Sequence, residues 1–148
     1  MQNIDKILGE TKLLTEKDRL ATQILDKLSG FFVEQWIEDN TDYAWGFFVN
    51  NTLIGYCTTG CADDCPDIIE THPSYTVDSL LISDVFILPE YRHNHFGSQM
   101  IVEAIHNRWK SDGERNSVFL QAISESVMQF YEKNGFHVLE DEIMVLCP

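Results

Sequence analysis

Residues 85–100 read VFILPEYRHNHFGSQM, and this stretch decides the fold of the chain. An apolar run ends at Pro89, a polar turn follows, and a helical pattern begins at Gly97. This order predicts a β-strand that leads through a short turn into an α-helix. The first backbone N–H groups of such a helix are unpaired and its N-terminus is positively polarised, so the connection is suited to bind an anion.

The same turn also differs from the rest of the chain in charge. The 148 residues carry 10 Lys and Arg against 24 Asp and Glu, which gives a formal net charge of −14. Residues 91–102 nevertheless contain no acid and include Arg92, His93 and His95. We interpret the turn as a phosphate-binding site. A surface connection with incidental basic residues gives the same pattern, so both interpretations stay open here.

The overall charge and composition limit the classes of function. A net charge of −14 repels nucleic acid and anionic membranes and attracts cations, so we expect no nucleic-acid or membrane partner. The content of 44% hydrophobic residues supports a packed core, and the length predicts a single domain over residues 1–148. No basic and apolar leader opens the chain and no membrane-spanning apolar run occurs, which predicts a cytoplasmic protein with thiol cysteines.

The pattern before residue 85 alternates between strand and helix. Residues 15–39 predict two helices, or one that breaks at Ser29-Gly30, and a short strand near Leu8–Leu14 precedes them. Asn50-Asn51 between two β-rich segments predicts a hairpin. The segments are Ala44–Val49 and Thr52–Thr59, then a polar loop from Gly60 to Ser79 and a central strand from Leu80 to Leu88.

The remainder of the chain continues this alternation. Apolar spacing predicts a helix from Gly97 to the Ser111–Gly113 stop, a strand at Ser117–Ala122 and a helix at Ser124–Asn134. A final strand pair is predicted at Phe136–Leu139 and Ile143–Leu146. The whole pattern predicts one mixed α/β domain.

Two segments carry a resemblance to a known family. PEYRHNHFGSQM resembles the acyl-coenzyme A pyrophosphate loop of the GNAT N-acyltransferases, in which Arg92 and Gly97 match and His95 replaces the first glycine. SESVMQFYEKNGFHVLED is similar to the C-terminal helix and strand of that family, including Phe130-Tyr131 and Gly135-Phe136. The resemblance covers about Leu80 to Leu146 and is weak before it.

The resemblance implies a fold and a reaction. It implies a mixed, mostly antiparallel sheet that splays around acyl-CoA and is flanked by helices. It also implies direct transfer of an acetyl group from acetyl-CoA to a primary amine, without a covalent acyl-enzyme, a metal or a further cofactor. The acceptor is expected to be a cationic small molecule or a peptide or protein amine, and the assembly a homodimer. A non-catalytic acyl-CoA-binding module that acts through protein contacts is the alternative.

The resemblance also implies which residues contact the coenzyme. Ser124 stands where the family often has an asparagine that holds the pantetheine arm, although a simple N-cap explains it as well. Arg92 is expected near the phosphates, with a surface ion pair to Glu90 as the alternative. The side chain of His95 restricts the backbone more than glycine does, although histidine tolerates a positive φ better than most residues. The expected coenzyme-binding residues are Val85, Phe86, Ile87, Arg92, His93, Asn94, His95, Phe96, Gly97, Ser98 and Ser124.

The reaction needs groups that transfer protons at the thioester. Tyr131 is in the family position of the general acid, and its alternative role is a packed aromatic between helix and sheet, as we expect for Phe130. Ser83 occupies a position commonly used for the base, so Asp84 is the nearest carboxylate. Asp84 is expected to serve as the base directly, or the proton passes through water to Asp84 or to Asp78. Alternatively, Asp84 caps a helix or binds a neighbouring loop.

The loop before the central strand contains residues of metal-ligand type. Cys61, Asp63, Asp64, Cys65 and His72 lie within it, but their spacing is not a structural-zinc pattern. We therefore expect no metal and interpret the loop as an acidic segment that attracts a cationic acceptor.

Overall fold

The computed structural model describes residues 9–39, 43–62, 79–122, 124–140 and 142–148. These residues form one seven-stranded sheet with the strand order β1-β2-β3-β4-β5-β7-β6. Only β4 and β5 pair in parallel, and all other neighbours are antiparallel. The strands are β1 Gly9–Leu13, β2 Tyr43–Val49, β3 Thr52–Cys61, β4 Leu80–Ile87, β5 Val118–Gln121, β6 His137–Glu140 and β7 Ile143–Leu146. The predicted mixed α/β fold is confirmed.

In the described part of the chain, four α-helices flank the sheet on its two faces. The helices α1 (Arg19–Ser29) and α2 (Glu34–Asp39) cover one face, and α3 (Phe96–Asp112) and α4 (Glu125–Lys133) cover the other. Tyr56 is fully buried under α1 and α2, whereas Cys57, its neighbour on β3, is fully buried under α3 and α4. Because side chains alternate between the two faces of a strand, β3 contributes to the hydrophobic core on both sides of the sheet. None of the helices described is long and apolar enough to cross a membrane.

Local residues explain where the elements turn. Asn50 and Asn51 adopt left-handed φ values of 51° and 63° in the predicted hairpin between β2 and β3, a conformation that asparagine tolerates. Gly30 ends α1 in the left-handed conformation with a φ of 81°, which produces the predicted break before α2. The Thr15 backbone N–H donates to Asp18 Oδ2 at the predicted helix start, where a short 3₁₀ turn precedes α1.

The boundary of the predicted loop after β3 needs a correction. Gly60 and Cys61 are predicted to lie in the loop, but they pair with Leu81 and Leu80 and extend β3 by these two residues. A polar composition alone did not reveal this pairing, because it depends on the register with β4. Residues 63–78 of the loop, which include the metal-ligand residue types at 63–72 and Asp78, lie outside the described residues.

The central strands separate along their length. The parallel ladder between β4 and β5 runs from Leu80 opposite Val118 to Ile82 opposite Leu120 and ends there. β4 nevertheless continues to Ile87, and its register with β3 shifts between Cys57 and Thr59 at a bulge. Residues 83–87 therefore border an opening between β4 and β5, and the expected splayed sheet is present.

Candidate functional site

The turn between β4 and α3 has an unusual backbone. His93 and His95 have φ values of 66° and 63°, in the left-handed region that glycine adopts readily and that asparagine, aspartate and histidine tolerate better than other residues. His95 is the N-cap of α3, and the first hydrogen bond of the helix runs from the Gln99 N–H to the His95 carbonyl, at 3.0 Å. The N–H groups of residues 96–98 precede it, so the helix presents unpaired donors at its positively polarised end.

The side chain of Arg92 is held against the end of β4. Its Nε donates to the Ile87 carbonyl at 2.8 Å, and its guanidinium lies over the Phe86 ring, 5.6 Å from the centroid. Among the described residues Arg92 makes no ion pair with Glu90, which was the alternative considered for it. Asn94 closes the turn by donating to the carbonyl oxygens of Tyr91 and Arg92.

A cleft lies between β4, this turn and α4. We call it the β4–β5 cleft; its volume is about 640 Å³, within the usual range for ligand sites. It contains no acidic side chain among its lining residues, in a protein of net charge −14. Asn94 and Ser124 are not part of the lining. The expected coenzyme residues that do line it are Val85, Phe86, Ile87, Arg92, His93, His95, Phe96, Gly97 and Ser98.

The second wall of the cleft comes from α4. Val127, Phe130 and Lys133 line the cleft from one face of this helix, and Lys133 adds a positive charge. Their three-residue spacing is a signal that sequence reasoning did not use. Phe130 packs on the core, as expected, but also faces the cleft. Ser124 is the N-cap of α4, where its hydroxyl accepts from the Val127 N–H at 3.3 Å.

Tyr131 lies on the core side of α4. It is 6% exposed, its ring meets Phe130 and Phe136 edge-on, and it belongs to the same core cluster as Cys57 and Val85. Burial raises the pKa of Tyr131 above its usual range, and the neighbouring Cys57 adds to the effect. The phenol is therefore protonated at neutral pH, and it is a weaker acid than a solvent-exposed tyrosine.

Asp84 lies at the bulge of β4 and is half-buried. Its backbone N–H donates to the Thr58 Oγ1 at 3.1 Å, while its carboxylate accepts no hydrogen bond from any residue that the structure describes. Burial raises the pKa of Asp84, and the negative charge of Asp26 raises it further. Ser83, the neighbouring position on β4, is exposed. The helix-capping role considered for Asp84 is not observed within the described part of the chain.

Two residues near Asp84 were not singled out from the sequence. Tyr56 on β3 pairs in register with Phe86 on β4, and its hydroxyl donates to Asp26 Oδ1 on α1 at 3.0 Å. The two residues are separated by a helix, a turn and a strand, so no local pattern indicated their contact. Among the described residues no cluster of His, Cys, Asp and Glu is arranged to hold a metal ion.

Several solved structures share this architecture. The PaiA N-acetyltransferase from Thermoplasma acidophilum in complex with coenzyme A is 19% identical, with a TM-score of 0.67, over 96% of this chain and 100% of that one. NAA60 from Arabidopsis thaliana in complex with acetyl-CoA is 13% identical, with a TM-score of 0.66, over 93% and 95%. AtaT complexed with acetyl-methionyl-tRNAfMet is 14% identical, with a TM-score of 0.68, over 94% of each chain. The fold is therefore that of the acetyltransferases.

A comparison of the sequence with models of protein families identifies the family. A family model described as an acetyltransferase (GNAT) domain matches residues 36–138. The chain belongs to the GNAT acetyltransferase family. No curated protein sequence matches the chain. Homologous GNAT structures hold acetyl-CoA or coenzyme A, and the acid-free cleft with its unpaired helix N–H groups has the chemistry to accept such an anion.

Proposed function

We propose that the protein is an N-acetyltransferase that transfers the acetyl group of acetyl-CoA directly to a primary amine. The observation that carries the proposal is the β4–β5 cleft, which joins the helix N-terminus of α3 to the opening in the sheet. The coenzyme supplies the activated acetyl thioester. The N–H groups of residues 96–98, with Arg92 and Lys133, would hold its phosphates.

The end of β4 is suited to hold the rest of the coenzyme. Val85, Phe86 and Ile87 line the cleft and have no strand partner on the β5 side, since that ladder ends at Ile82. The backbone groups of this segment that face away from β3, other than the Ile87 carbonyl bound by Arg92, can hydrogen-bond an amide-containing arm as a further strand would. This arrangement would place the thioester near the bulge at residues 83–84.

The proton transfers would involve groups on the two faces of the sheet. Tyr131 belongs to the α3–α4 side, and Asp84, two residues before Phe86, lies on the α1–α2 side with Tyr56. In the proposed reaction the amine nitrogen bonds to the acetyl carbon and the carbon–sulfur bond breaks. Asp84 takes the amine proton, directly or through water, and Tyr131 protonates the departing thiolate.

A non-catalytic acyl-CoA-binding module is the second candidate function. The absence of Tyr131 from the cleft lining favours it, because a general acid must reach the sulfur. The same module would still bind the coenzyme through the turn. Coenzyme binding and turnover therefore have to be measured separately.

The deciding experiment is a thiol-release assay with acetyl-CoA and a panel of amines. The panel contains small cationic amines, a lysine-containing peptide and a peptide with a free N-terminus. Thiol release that requires an amine, with acetylated product in the mass spectrum, supports the enzyme. Coenzyme binding without release from any amine would favour the module. A nucleic-acid acceptor is tested by adding tRNA, since AtaT is solved with an acetylated aminoacyl-tRNA; the net charge of −14 predicts no reaction.

A further inference from the structure

The outer face of α1 carries a row of exposed apolar side chains. Leu20, Ile24 and Leu28 follow one another at four-residue spacing, and Phe32 stands four residues further on, beyond the Gly30 turn. These four side chains, which we call the α1 patch, are between 57% and 72% exposed. No other large apolar side chain among the described residues is more than half exposed. Because four-residue spacing keeps side chains on one face of a helix, the first three form a continuous ridge.

The opposite face of α1 packs against the sheet. Thr22 and Leu25 point to that side and are buried, and Leu25 belongs to the core cluster that also contains Tyr56 of β3. A helix with apolar side chains on two opposite faces is normally covered on both of them. The α1 patch is therefore not the core side of the helix, and a second surface has to cover it.

The α1 patch is large for the surface of a single chain. At these exposures it presents roughly 500 Å² of apolar surface, near the upper end for the largest patch of a monomeric protein. Two such patches packed against each other remove roughly 1,000 Å² from water, which is about the area that a specific dimer needs. The patch is thus large enough to hold two copies of the chain together.

The charge around the α1 patch favours a second copy as its occupant. The chain has a net charge of −14, so two copies repel each other over most of their surfaces. None of the residues one or three positions away from the three helical members of the patch is an acid, and the exposed Lys17 and Lys27 stand among them. Asp26 of α1 is turned away and accepts a hydrogen bond from Tyr56. Two copies can therefore meet at this face without carboxylates opposite each other.

The shape of the ridge allows it to pack against itself. Side chains four residues apart form ridges that fit into the grooves between the same ridges of another helix, with the two axes crossing at about −50°. In a dimer with two-fold symmetry the same patch lies on both sides of the contact. Ile24 is the middle one of the three ridge residues, so the symmetry axis of such a pair passes beside it.

We propose that the protein forms a two-fold symmetric homodimer through the α1 patch, in which α1 packs across α1 of the second copy and Ile24 contacts its own counterpart. Leu20 of each copy then lies toward Leu28 of the other. The proposal does not depend on acetyl transfer, because none of the described residues that line the β4–β5 cleft belongs to α1.

Sedimentation velocity from about 1 to 100 µM protein tests the proposal on the whole chain. The wild type should sediment as a dimer at the higher concentrations. Ile24→Glu places two carboxylates opposite each other at the symmetry axis and should weaken dimerisation by about 100-fold or more. Val102→Glu makes the same change at an exposed position of α3 and should leave the dimer intact.

A mixture of two variants tests the symmetry itself. Ile24→Lys should dissociate the dimer as Ile24→Glu does, because two ammonium groups then face each other. An equimolar mixture of Ile24→Lys and Ile24→Glu should form a heterodimer, because the symmetry axis brings opposite charges together. Position 24 is exposed, so both variants should keep the fold, which circular dichroism verifies. The wild type alone gives a further measurement: moderate salt should strengthen its dimerisation, since it screens the repulsion between two acidic chains.

Several results would overturn the proposal. One is a wild type that stays monomeric throughout the concentration range: a lower melting temperature of Ile24→Glu would then mean that the same chain covers the patch, and an unchanged one would leave the patch to a different protein. A dimer that persists in Ile24→Glu, or that Val102→Glu dissociates equally, would place the interface elsewhere. Two monomeric variants that do not pair on mixing would exclude the symmetry axis at Ile24.

Discussion

The side-chain amide of Asn134 donates a hydrogen bond to the Ser98 hydroxyl at 3.2 Å, and another to the Phe130 carbonyl at 2.9 Å. Ser98 lies in the first turn of α3, and Asn134 follows the last residue of α4. The bond therefore joins the two walls of the β4–β5 cleft. It also joins the two sequence segments through which the family was recognised.

Removal of this amide should loosen the cleft. Asn134→Ala loses both hydrogen bonds, which we expect to lower the free energy of unfolding by about 1–2 kcal/mol. The affinity for acetyl-CoA should fall as well, because α3 and α4 lose their link. Urea unfolding and calorimetric titration measure the two effects. Asn116→Ala, away from the cleft, is the matched control, and an unchanged acetyl-CoA affinity in Asn134→Ala would limit the bond to a packing role.

Tyr131 is expected to act in turnover and not in binding. Tyr131→Phe keeps the packed ring and removes the acid, so the turnover number should fall by ~10²-fold or more. The acetyl-CoA affinity should persist. Tyr43→Phe, which removes a hydroxyl bonded to Ser111, should leave turnover unchanged. The thiol-release rate at saturating acetyl-CoA is the measurement, and a Tyr131→Phe variant as fast as the wild type would exclude the tyrosine from the mechanism.

His95 holds a backbone conformation that glycine adopts more readily. Its φ of 63° predicts that His95→Gly keeps or improves the affinity for acetyl-CoA. His95→Ala removes the ring but keeps the Cβ, so its affinity should also persist while its stability falls by about 1 kcal/mol. Calorimetry and thermal unfolding distinguish these effects. A large loss of affinity in both variants would show that the imidazole itself binds the coenzyme.

The ionised carboxylate of Asp84 should lower the free energy of unfolding at neutral pH, while it supports turnover. Its pKa is raised, so the folded protein holds this proton at a pH where the unfolded chain has lost it. The contribution of this proton to the free energy of unfolding is fully present below the pKa that Asp84 has in the unfolded chain. It is lost as the pH rises through the pKa that Asp84 has in the folded protein. Asp84→Asn should therefore melt at the same or a higher temperature than the wild type at pH near 8, with a smaller difference at pH near 4.

The activity of the same variant provides the complementary result. Without a proton acceptor, Asp84→Asn should release thiol ~10²-fold more slowly. Glu114→Gln, with the same change in net charge, is the control for both measurements. A variant that melts earlier at neutral pH and turns over normally would contradict both the buried environment and the proposed role.

The order of elements could be predicted from local signals. The Asn50-Asn51 hairpin, the glycine stop of α1 and the strand–turn–helix at residues 85–100 each rest on the conformational preferences of a few neighbouring residues. These preferences act over a single turn, and packing did not override them.

The contacts on the face of the sheet under α1 and α2 could not be predicted in the same way. Asp26 and Tyr56 meet only because β3 pairs with β4 in one register and α1 packs over that pair. The bulge at Thr58 and the end of the β4–β5 ladder are likewise properties of the assembled sheet. Charge patterning located the basic turn because its residues are contiguous, whereas Asp26 and Asp84 are distant in sequence.

The central claim is that the β4–β5 cleft binds acetyl-CoA, and a thermal-shift titration with acetyl-CoA tests it most directly. Binding to the folded state alone stabilises it by about 2.7 kcal/mol at a hundredfold excess over Kd. The melting temperature should therefore rise steadily with acetyl-CoA concentration. A melting temperature that stays constant up to millimolar acetyl-CoA would contradict the claim.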